Sequence, residues 1–423
     1  MFVIILAMLK SSNLFYILSL YFLITMIVGF FNMMGFPVVG KLMALFRVVL
    51  VVFTIQYLFE KIDGIDILIF SLIILITITS FLSGVDLDNL YFGASNQLLM
   101  MSFFFVGRSK CAVDYTLYNR AIYVVIFVAI CGLFLYFFNP SWYLEMKIEK
   151  SGVSNATTQD FAYEMMRLSA FWPYPYWISY GSAIIYCYIL IIGYRFGKLS
   201  FKMIAILLFL LGIMVLAQQR APLLFSIFIS FFFIICGFGK KEYCPRFKFY
   251  IFLYIFIVIV GLFVLISFID IEMLERLYSK MDEAASGSDY FSARRELVSD
   301  VTSRPVSLFG DGLGSYSLHG ESVNVHIITD QQYIKLLYEN GVVGFMGYVT
   351  IFVLCIANGL RHIKENLFEL AVVFMYILAM YGANCLCVED QHPAIFWFCC
   401  GRLFNKDCLR YKKKNIFPLH KLT

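Results

Sequence analysis

Long apolar runs, each near the length of a membrane-spanning helix, follow one another along most of the chain. A helix needs about 20 mostly apolar residues to cross a bilayer. The runs do not alternate between polar and apolar positions as half-buried strands do, and in lipid a helix satisfies its own backbone hydrogen bonds. The pattern therefore predicts an all-α polytopic membrane protein with about 12 transmembrane helices. Their predicted starts lie near Asn13, Val39, Ile65, Asn89, Leu117, Tyr176, Ser200, Ala221, Tyr250, Gly341, Leu367 and Pro393.

Short clusters of Lys and Arg occur in alternate connections between these runs. The positive-inside rule assigns the side that carries them to the cytoplasm. Lys10 and the basic tail place both termini on that side, whereas the connections between the clusters are neutral or acidic. The clusters lie at 108–120, 195–202, 240–248, 361–364 and 410–414.

Two connections are too long to be plain turns, and both fall on the outer side. Loops longer than about 15 residues in a compact protein are usually functional or disordered. The second is the most polar part of the chain and carries arginines where the positive-inside rule does not expect them, which an anionic ligand would explain. The predicted organisation is transmembrane helices at 1–138, an outer loop at 139–175, central transmembrane helices at 176–270, a large outer loop with the candidate site at 271–340, transmembrane helices at 341–407 and a basic cytoplasmic tail at 408–423.

The composition excludes a soluble protein. Hydrophobic residues make up 61% of the chain and charged residues 14%, whereas soluble domains carry about 25% charged residues. The net charge of +5 sits in clusters between apolar runs, a pattern typical of membrane topology rather than of nucleic-acid binding.

Arg220 is the first candidate for binding an anion. It lies in a connection of a few residues at the predicted outer boundary, next to Gln218 and Gln219. Pro222 favours the start of a helix there, and the free N–H groups of a helix start also attract anions. The alternative is an interfacial arginine that extends to lipid head groups.

Arg294 and Arg295 form a second basic group, in the large outer loop. Paired guanidinium groups suit phosphate because their planar forks donate two parallel hydrogen bonds and keep their charge. The alternative is a solvated helix face on which these arginines pair with Glu296 or Asp300.

The end of the same loop contains Gly310, Gly312 and Gly314, followed by His326 and Asp330. The glycines allow a tight path with positive φ and a close backbone approach. No strand precedes them, so a dinucleotide fold is rejected. On a helix His326 and Asp330 would share a face, and either is a candidate base, although isolated loop histidines commonly have no such role. The spacing after Asp330 predicts a helix that continues into the next span.

In order and position these segments resemble the O-antigen polymerase and ligase superfamily. The matching features are Arg167 with its following Pro175 in the first outer loop, then Arg220 at the outer end of a mid-chain helix. Ser292-x-Arg294, Gly310-x-Gly312-x-Gly314 and the Gly341-x-x-Gly344 helix follow. The resemblance covers about residues 160–350 well, and the first five spans match only in hydropathy.

The resemblance implies a bacterial inner-membrane glycosyltransferase of the polymerase (Wzy) type, with its active site in the periplasm and with inversion at the anomeric carbon. Its substrate would be an undecaprenyl-diphosphate-linked oligosaccharide, with no cofactor, no metal and no nucleic acid. Arg167, Arg220, Arg294 and Arg295 would hold the diphosphate, and Asp330 or His326 would act on the acceptor. A chain-length regulator of the Wzz type and a flippase of the Wzx type are the expected protein partners.

Two alternatives stay open at this point. Ligases of the superfamily place a histidine eleven residues before the first glycine of the Gly-x-x-Gly pair, where this chain has Asp330. That departure favours a polymerase over a ligase and leaves the base unassigned. The other alternative is a flippase or transporter of the same lipid-linked sugar, which would usually show internal repeats and broken helices in matching positions.

Overall fold

The computed structural model is almost entirely helical in the part of the chain that it describes. That part comprises residues 38–60, 62–109, 116–138, 140–141, 143, 161–162, 165–166, 168–170, 176–196, 200–217, 219–238, 305–316, 331–381, 383–386 and 392–414.

The described elements are helices and one short two-stranded ladder. A two-residue antiparallel ladder pairs β1 with β2 in the first predicted outer loop. The elements are α1 Val38–Glu60, α2 Gly64–Leu82, α3 Leu87–Gly93, a π-helical turn Ala94–Leu98, α4 Leu99–Met101, α5 Phe103–Arg108, α6 Thr116–Phe138, β1 Phe161–Ala162, β2 Met165–Met166, α7 Tyr176–Phe196, α8 Phe201–Ala217, α9 Arg220–Phe238, α10 Gln332–Arg361, α11 Ile363–Ala379, α12 His392–Leu403 and α13 Lys406–Lys414.

These helices match most of the predicted spans. Nine predicted starts lie within four residues of an observed helix or span start, and the predicted start at Gly341 coincides with a break inside α10. The starts predicted at Asn13 and Tyr250 fall outside the described residues. Five helices in the described part are long and apolar enough to cross a membrane. The all-helical fold is therefore confirmed and is consistent with a helical membrane protein, and the figure of 12 spans stays a prediction.

The connections between the described helices lie at two opposite ends of the helix bundle. At one, called here the basic end, Asp63 before α2 meets Arg108 at the end of α5 and Lys406 at the start of α13. At the other, called the loop end, Gly312 lies against Val85 between α2 and α3. The helices thus alternate in direction, as the spacing of the basic clusters predicts. Which end faces the cytoplasm stays a prediction.

A buried charge cluster holds the basic end together. Arg108 donates through Nε and an Nη nitrogen to the carboxylate of Asp66, at 3.1 and 2.9 Å, and to Asp63 at 2.6 Å. Its other Nη nitrogen donates to the carbonyl oxygen of Phe404 at 2.5 Å. The hydrogen bond from Arg108 holds the pKa of the Asp63 carboxyl below its ordinary value. This cluster joins α2, α5 and the end of α12.

Close backbone approach packs α12 against α5. A Cβ atom added to Gly107 would lie 2.2 Å from the carbonyl oxygen of Phe398, and one added to Gly401 would lie 2.0 Å from that of Phe104. Small residues at such contacts let membrane helices approach closely enough to gain van der Waals contact. The two glycines therefore bring the backbones of α5 and α12 into direct contact.

Candidate functional site

Most of the side chains in the predicted site fall outside the part of the chain that the structure describes. These are Arg167, Arg294, Arg295, His326 and Asp330.

Arg220 and the three glycines lie within the described part. Arg220 is the first residue of α9, as the predicted helix start requires. The glycines belong to the segment 305–316, called here the glycine segment. The geometry of the site is therefore built from this segment and the helices around it.

The three glycines of this segment have the backbone conformation that the sequence predicts. Their φ angles are +83° at Gly310, +96° at Gly312 and +78° at Gly314, a region that residues with a Cβ atom rarely adopt. A Cβ on Gly310 would lie 2.3 Å from the carbonyl oxygen of Glu339, and one on Gly314 would lie 2.2 Å from that of Asn89. Positive φ is confirmed at all three glycines. Close approach to a neighbouring backbone is confirmed at Gly310 and Gly314, whereas Gly312 lies against the side chains of Ser83 and Val85.

A break in α10 receives the glycine segment. At Gly341 the backbone leaves the helix, with φ of 67° and ψ of −179°. The N–H groups of the two following residues donate to the glycine segment: Val342 to the carbonyl of Ser307 and Val343 to that of Leu308, both at 3.2 Å. These donors would otherwise be unsatisfied at the start of a helix.

The carbonyl groups before the break are satisfied in the same way. Asp311 N–H donates to the carbonyl of Tyr338 at 2.8 Å, and Gly312 N–H donates to that of Glu339 at 3.0 Å. The glycine segment thus hydrogen-bonds to both halves of α10. Irregular backbone inside a membrane protein is tolerated where it is buried in protein in this manner.

The segment is also wedged between α2 and α3. The Leu313 N–H donates to the hydroxyl of Ser80 on α2 at 3.0 Å, and the Leu313 side chain is fully buried. Gly314 lies against Gly93 at the end of α3. Non-local contacts to three spans therefore hold the glycine segment in the loop end of the bundle.

A buried ion pair on α10 is hydrogen-bonded to the end of the glycine segment. The Glu339 carboxylate accepts the N–H of Tyr316 at 3.3 Å, and Lys335 Nζ lies 3.8 Å from the same carboxylate oxygen. Both charged side chains are buried, and the Tyr316 hydroxyl donates to Asp311. Sequence reasoning missed this pair, although opposite charges four residues apart on a helix that continues into the membrane are a usable signal.

The start of α10 is fixed to the end of α11. The N–H of Gln332 donates to the carbonyl of Met380 at 3.1 Å, and its side-chain oxygen accepts the N–H of Leu386 at 3.0 Å. The hydroxyl of Tyr333 donates to the carbonyl of Ile377 at 2.5 Å. Tyr316 and Gln332, the held residues on either side of the stretch that contains His326 and Asp330, therefore both lie at the loop end.

The neighbours of Arg167 and Arg220 also lie at the loop end. Leu168 N–H donates to the carbonyl of Leu216 at 3.0 Å, close to where α8 ends and α9 begins. Tyr180 on α7 stacks on Tyr376 of α11, which links this region to the start of α10. In the residues that the structure describes, no three His, Cys, Asp or Glu side chains lie close enough to share a metal ion.

Comparison with known proteins adds no family assignment. A scan of the sequence against protein-family models finds no match, and a search among curated proteins finds none either. The resemblance to the O-antigen polymerase and ligase superfamily stays a prediction that rests on the order of the motifs in the sequence.

Proposed function

We propose that this protein is a glycosyltransferase of the O-antigen polymerase type in the bacterial inner membrane. It joins undecaprenyl-diphosphate-linked oligosaccharide units at the periplasmic face. In this proposal the loop end is periplasmic and the basic end is cytoplasmic.

One observation carries the proposal: the described neighbours of the predicted site residues share one end of the bundle. Leu168 follows Arg167, and Arg220 begins α9 three residues after α8 ends at Ala217. The glycine segment and the two boundaries of 317–330 lie at the same end. Motifs that are far apart in the chain would need this arrangement to act on a single substrate.

The proposed chemistry follows from the leaving group. Breaking a sugar–diphosphate bond builds negative charge on the diphosphate, and fixed cations in a partly dry site stabilise that charge. Arg167, Arg220, Arg294 and Arg295 supply the cations in this proposal, while Asp330 or His326 takes the proton of the acceptor hydroxyl. Replacing Arg220 or Arg294 should be at least as severe as replacing the base, because stabilisation of the diphosphate carries more of the barrier. A general base contributes about 10²- to 10⁴-fold.

The first experiment compares the lipopolysaccharide of a deletion strain with that of complemented strains. We expect the deletion to leave one repeat unit on the core and the intact gene to restore long chains. Bare core would indicate a ligase or a flippase instead.

Arg220→Ala should leave one repeat unit at normal membrane abundance, and Arg220→Lys should restore little because lysine lacks the bidentate fork. Arg361→Ala, which removes an exposed arginine at the basic end, is the matched control and should keep long chains.

A second comparison assigns the base. At matched protein levels we expect Asp330→Asn to shorten the chains strongly and His326→Ala to shorten them less. Normal chains from Asp330→Asn with none from His326→Ala would move the role to His326. If both variants make normal chains, no base lies in this stretch.

A transporter of the same lipid-linked sugar is the second candidate function. The break in α10 favours it, because transporters often bind substrate at the open ends of broken helices. Here the N–H groups of Val342 and Val343 are already bonded to Ser307 and Leu308, so the break is filled by protein. No other described helix contains such a break. Sugar polymerisation by the purified protein, without a second compartment, separates the two functions.

A further inference from the structure

A polar group lies inside the bundle, beneath the glycine segment, where the proposed reaction does not use it. Arg47 on α1 donates through an Nη nitrogen to the hydroxyl of Ser95. Ser95 belongs to the π-helical turn Ala94–Leu98, which interrupts the span Leu87–Arg108. Helices widened in this way occur frequently at functional sites.

Arg47 is partly buried and lies well inside the length of α1. It precedes Glu60, the last residue of α1, by 13 residues, which corresponds to about 20 Å at 1.5 Å per residue. Ser95 lies two residues beyond Gly93, which contacts Gly314 of the glycine segment. Ser95 likewise precedes Arg108 at the basic end by 13 residues, so its contact with Arg47 lies about 20 Å from that end, inside a hydrocarbon core about 30 Å thick.

The charge of Arg47 has no carboxylate partner in the described part of the chain. The ion pairs found there involve other arginines and lysines, and residues 1–37 contain no Asp or Glu. Its Nε–H is shielded from solvent and has no hydrogen-bond partner among the described residues. A charged group held inside a membrane protein is usually paired or binds a ligand.

The same π-helical turn carries further unmet hydrogen-bonding groups. Asn96 and Gln97 are each only 2% exposed. The Asn96 amide nitrogen and the Gln97 carbonyl oxygen have no partner in the described residues, while Gln97 Nε2 donates to the hydroxyl of Tyr348 at 2.8 Å. Buried polar groups are normally hydrogen-bonded, so this turn has capacity for a polar ligand.

We propose that Arg47, Ser95 and Asn96 form an intramembrane anion site that takes a phosphate group carried by a membrane lipid. The Nε–H of the Arg47 guanidinium and the amide nitrogen of Asn96, the residue after Ser95, are unpaired within the described ranges and are donors that suit phosphate oxygens. A lipid chain suits the depth of the site, because burial of the chain among apolar helices and lipid offsets part of the cost of removing the phosphate from water. The site does not depend on the proposed polymerisation, because it is tested by binding alone.

The test is titration calorimetry on the full chain in neutral detergent, with farnesyl diphosphate as the first probe. We expect Arg47→Gln to weaken binding about 10-fold or more, as expected for loss of a charge-assisted hydrogen bond. Ser95→Ala should weaken it about 2- to 10-fold through loss of the hydroxyl that orients the guanidinium. Arg361→Gln, at the opposite end, should bind like the unsubstituted protein.

Two further probes identify the source of the phosphate. Equal affinity for inorganic diphosphate would support the anion site but make a free anion its ligand, and equal competition by phosphatidylglycerol would make an ordinary lipid head group its ligand. Unchanged binding in Arg47→Gln would overturn the proposal, as would a protein that binds none of the three probes. If Arg47→Gln does not yield monodisperse protein, Arg47→Lys and Ser95→Ala decide, and full binding in both overturns the site.

Discussion

Gly310→Ala is the sharpest perturbation of the loop end. The new Cβ would lie 2.3 Å from the carbonyl oxygen of Glu339 and 2.4 Å from the backbone nitrogen of Gly341. Both neighbours are backbone atoms, so no change of rotamer relieves the overlap. The φ angle of +83° is also one that alanine adopts only at a cost.

The structure sets the size of the expected effect. A left-handed conformation costs an L-residue about 1–2 kcal/mol. Relief of the overlap requires the glycine segment to move away from α10, which breaks the hydrogen bonds from Asp311 to Tyr338 and from Gly312 to Glu339. Each contributes about 1 kcal/mol net. We therefore expect a loss of about 3–4 kcal/mol in the free energy of unfolding of the loop end.

Two other glycines separate the contributions. Gly84 has a φ of +74° but nothing within 4 Å of a Cβ, so Gly84→Ala should show the conformational cost alone. Gly212 lies in α8 with open space around it and no positive φ, so Gly212→Ala should cost nothing. Thermal unfolding in detergent, together with limited proteolysis, measures the order of the three variants.

The relative stability of the three variants tests the two contributions. If Gly310→Ala unfolds at the same temperature as Gly84→Ala, the overlap with α10 has no energetic consequence and the described contact is wrong. If it unfolds with the unsubstituted protein, neither the φ angle nor the contact matters.

The remaining predictions concern topology and the basic end. Reporter fusions at Lys241 should report the cytoplasm and fusions at Ser288 the periplasm, and a cytoplasmic signal at Ser288 would reverse the orientation. Arg108→Met should destabilise the protein by about 3–5 kcal/mol, because it leaves the buried carboxylate of Asp66 without its cation. Thermal unfolding measures this loss, and an unchanged midpoint temperature would contradict the prediction. The folded-state pKa of Asp63 lies below its ordinary value of 3.8, so its contribution to stability is complete above that pH and is lost as the pH falls below it. Asp63→Asn should therefore show a weaker loss of stability on acidification, and an identical pH profile would count against the assigned hydrogen bond.

Hydropathy predicts the spans well because lipid imposes the same requirement on every spanning segment. Helix starts such as Tyr176 follow from the length of an apolar run and from polar residues at its ends. The alternation of basic clusters likewise predicts which connections share an end. These are local properties of the chain, so they can be predicted without knowledge of how the helices pack.

The contact partners of the glycine segment could not be predicted from the sequence. Three alternate glycines predict positive φ and a close backbone approach. Positive φ is confirmed at Gly310, Gly312 and Gly314, and close backbone approach is confirmed at Gly310 and Gly314. Their partners are Glu339, Ser83 and Asn89, which no spacing along the chain reveals.

The sequence by itself determined that apolar helices long enough to span a membrane make up most of this protein. It also determined that the connections between them alternate between two ends. Each of these depends on the composition of a short stretch of the chain. Only the tertiary structure decided that a break at Gly341 receives the glycine segment and that Arg47 meets Ser95 rather than a carboxylate. Both depend on which helices pack side by side. Apolar helix surfaces look alike to lipid, so the choice of neighbours is made by close backbone contacts and by a few buried polar groups.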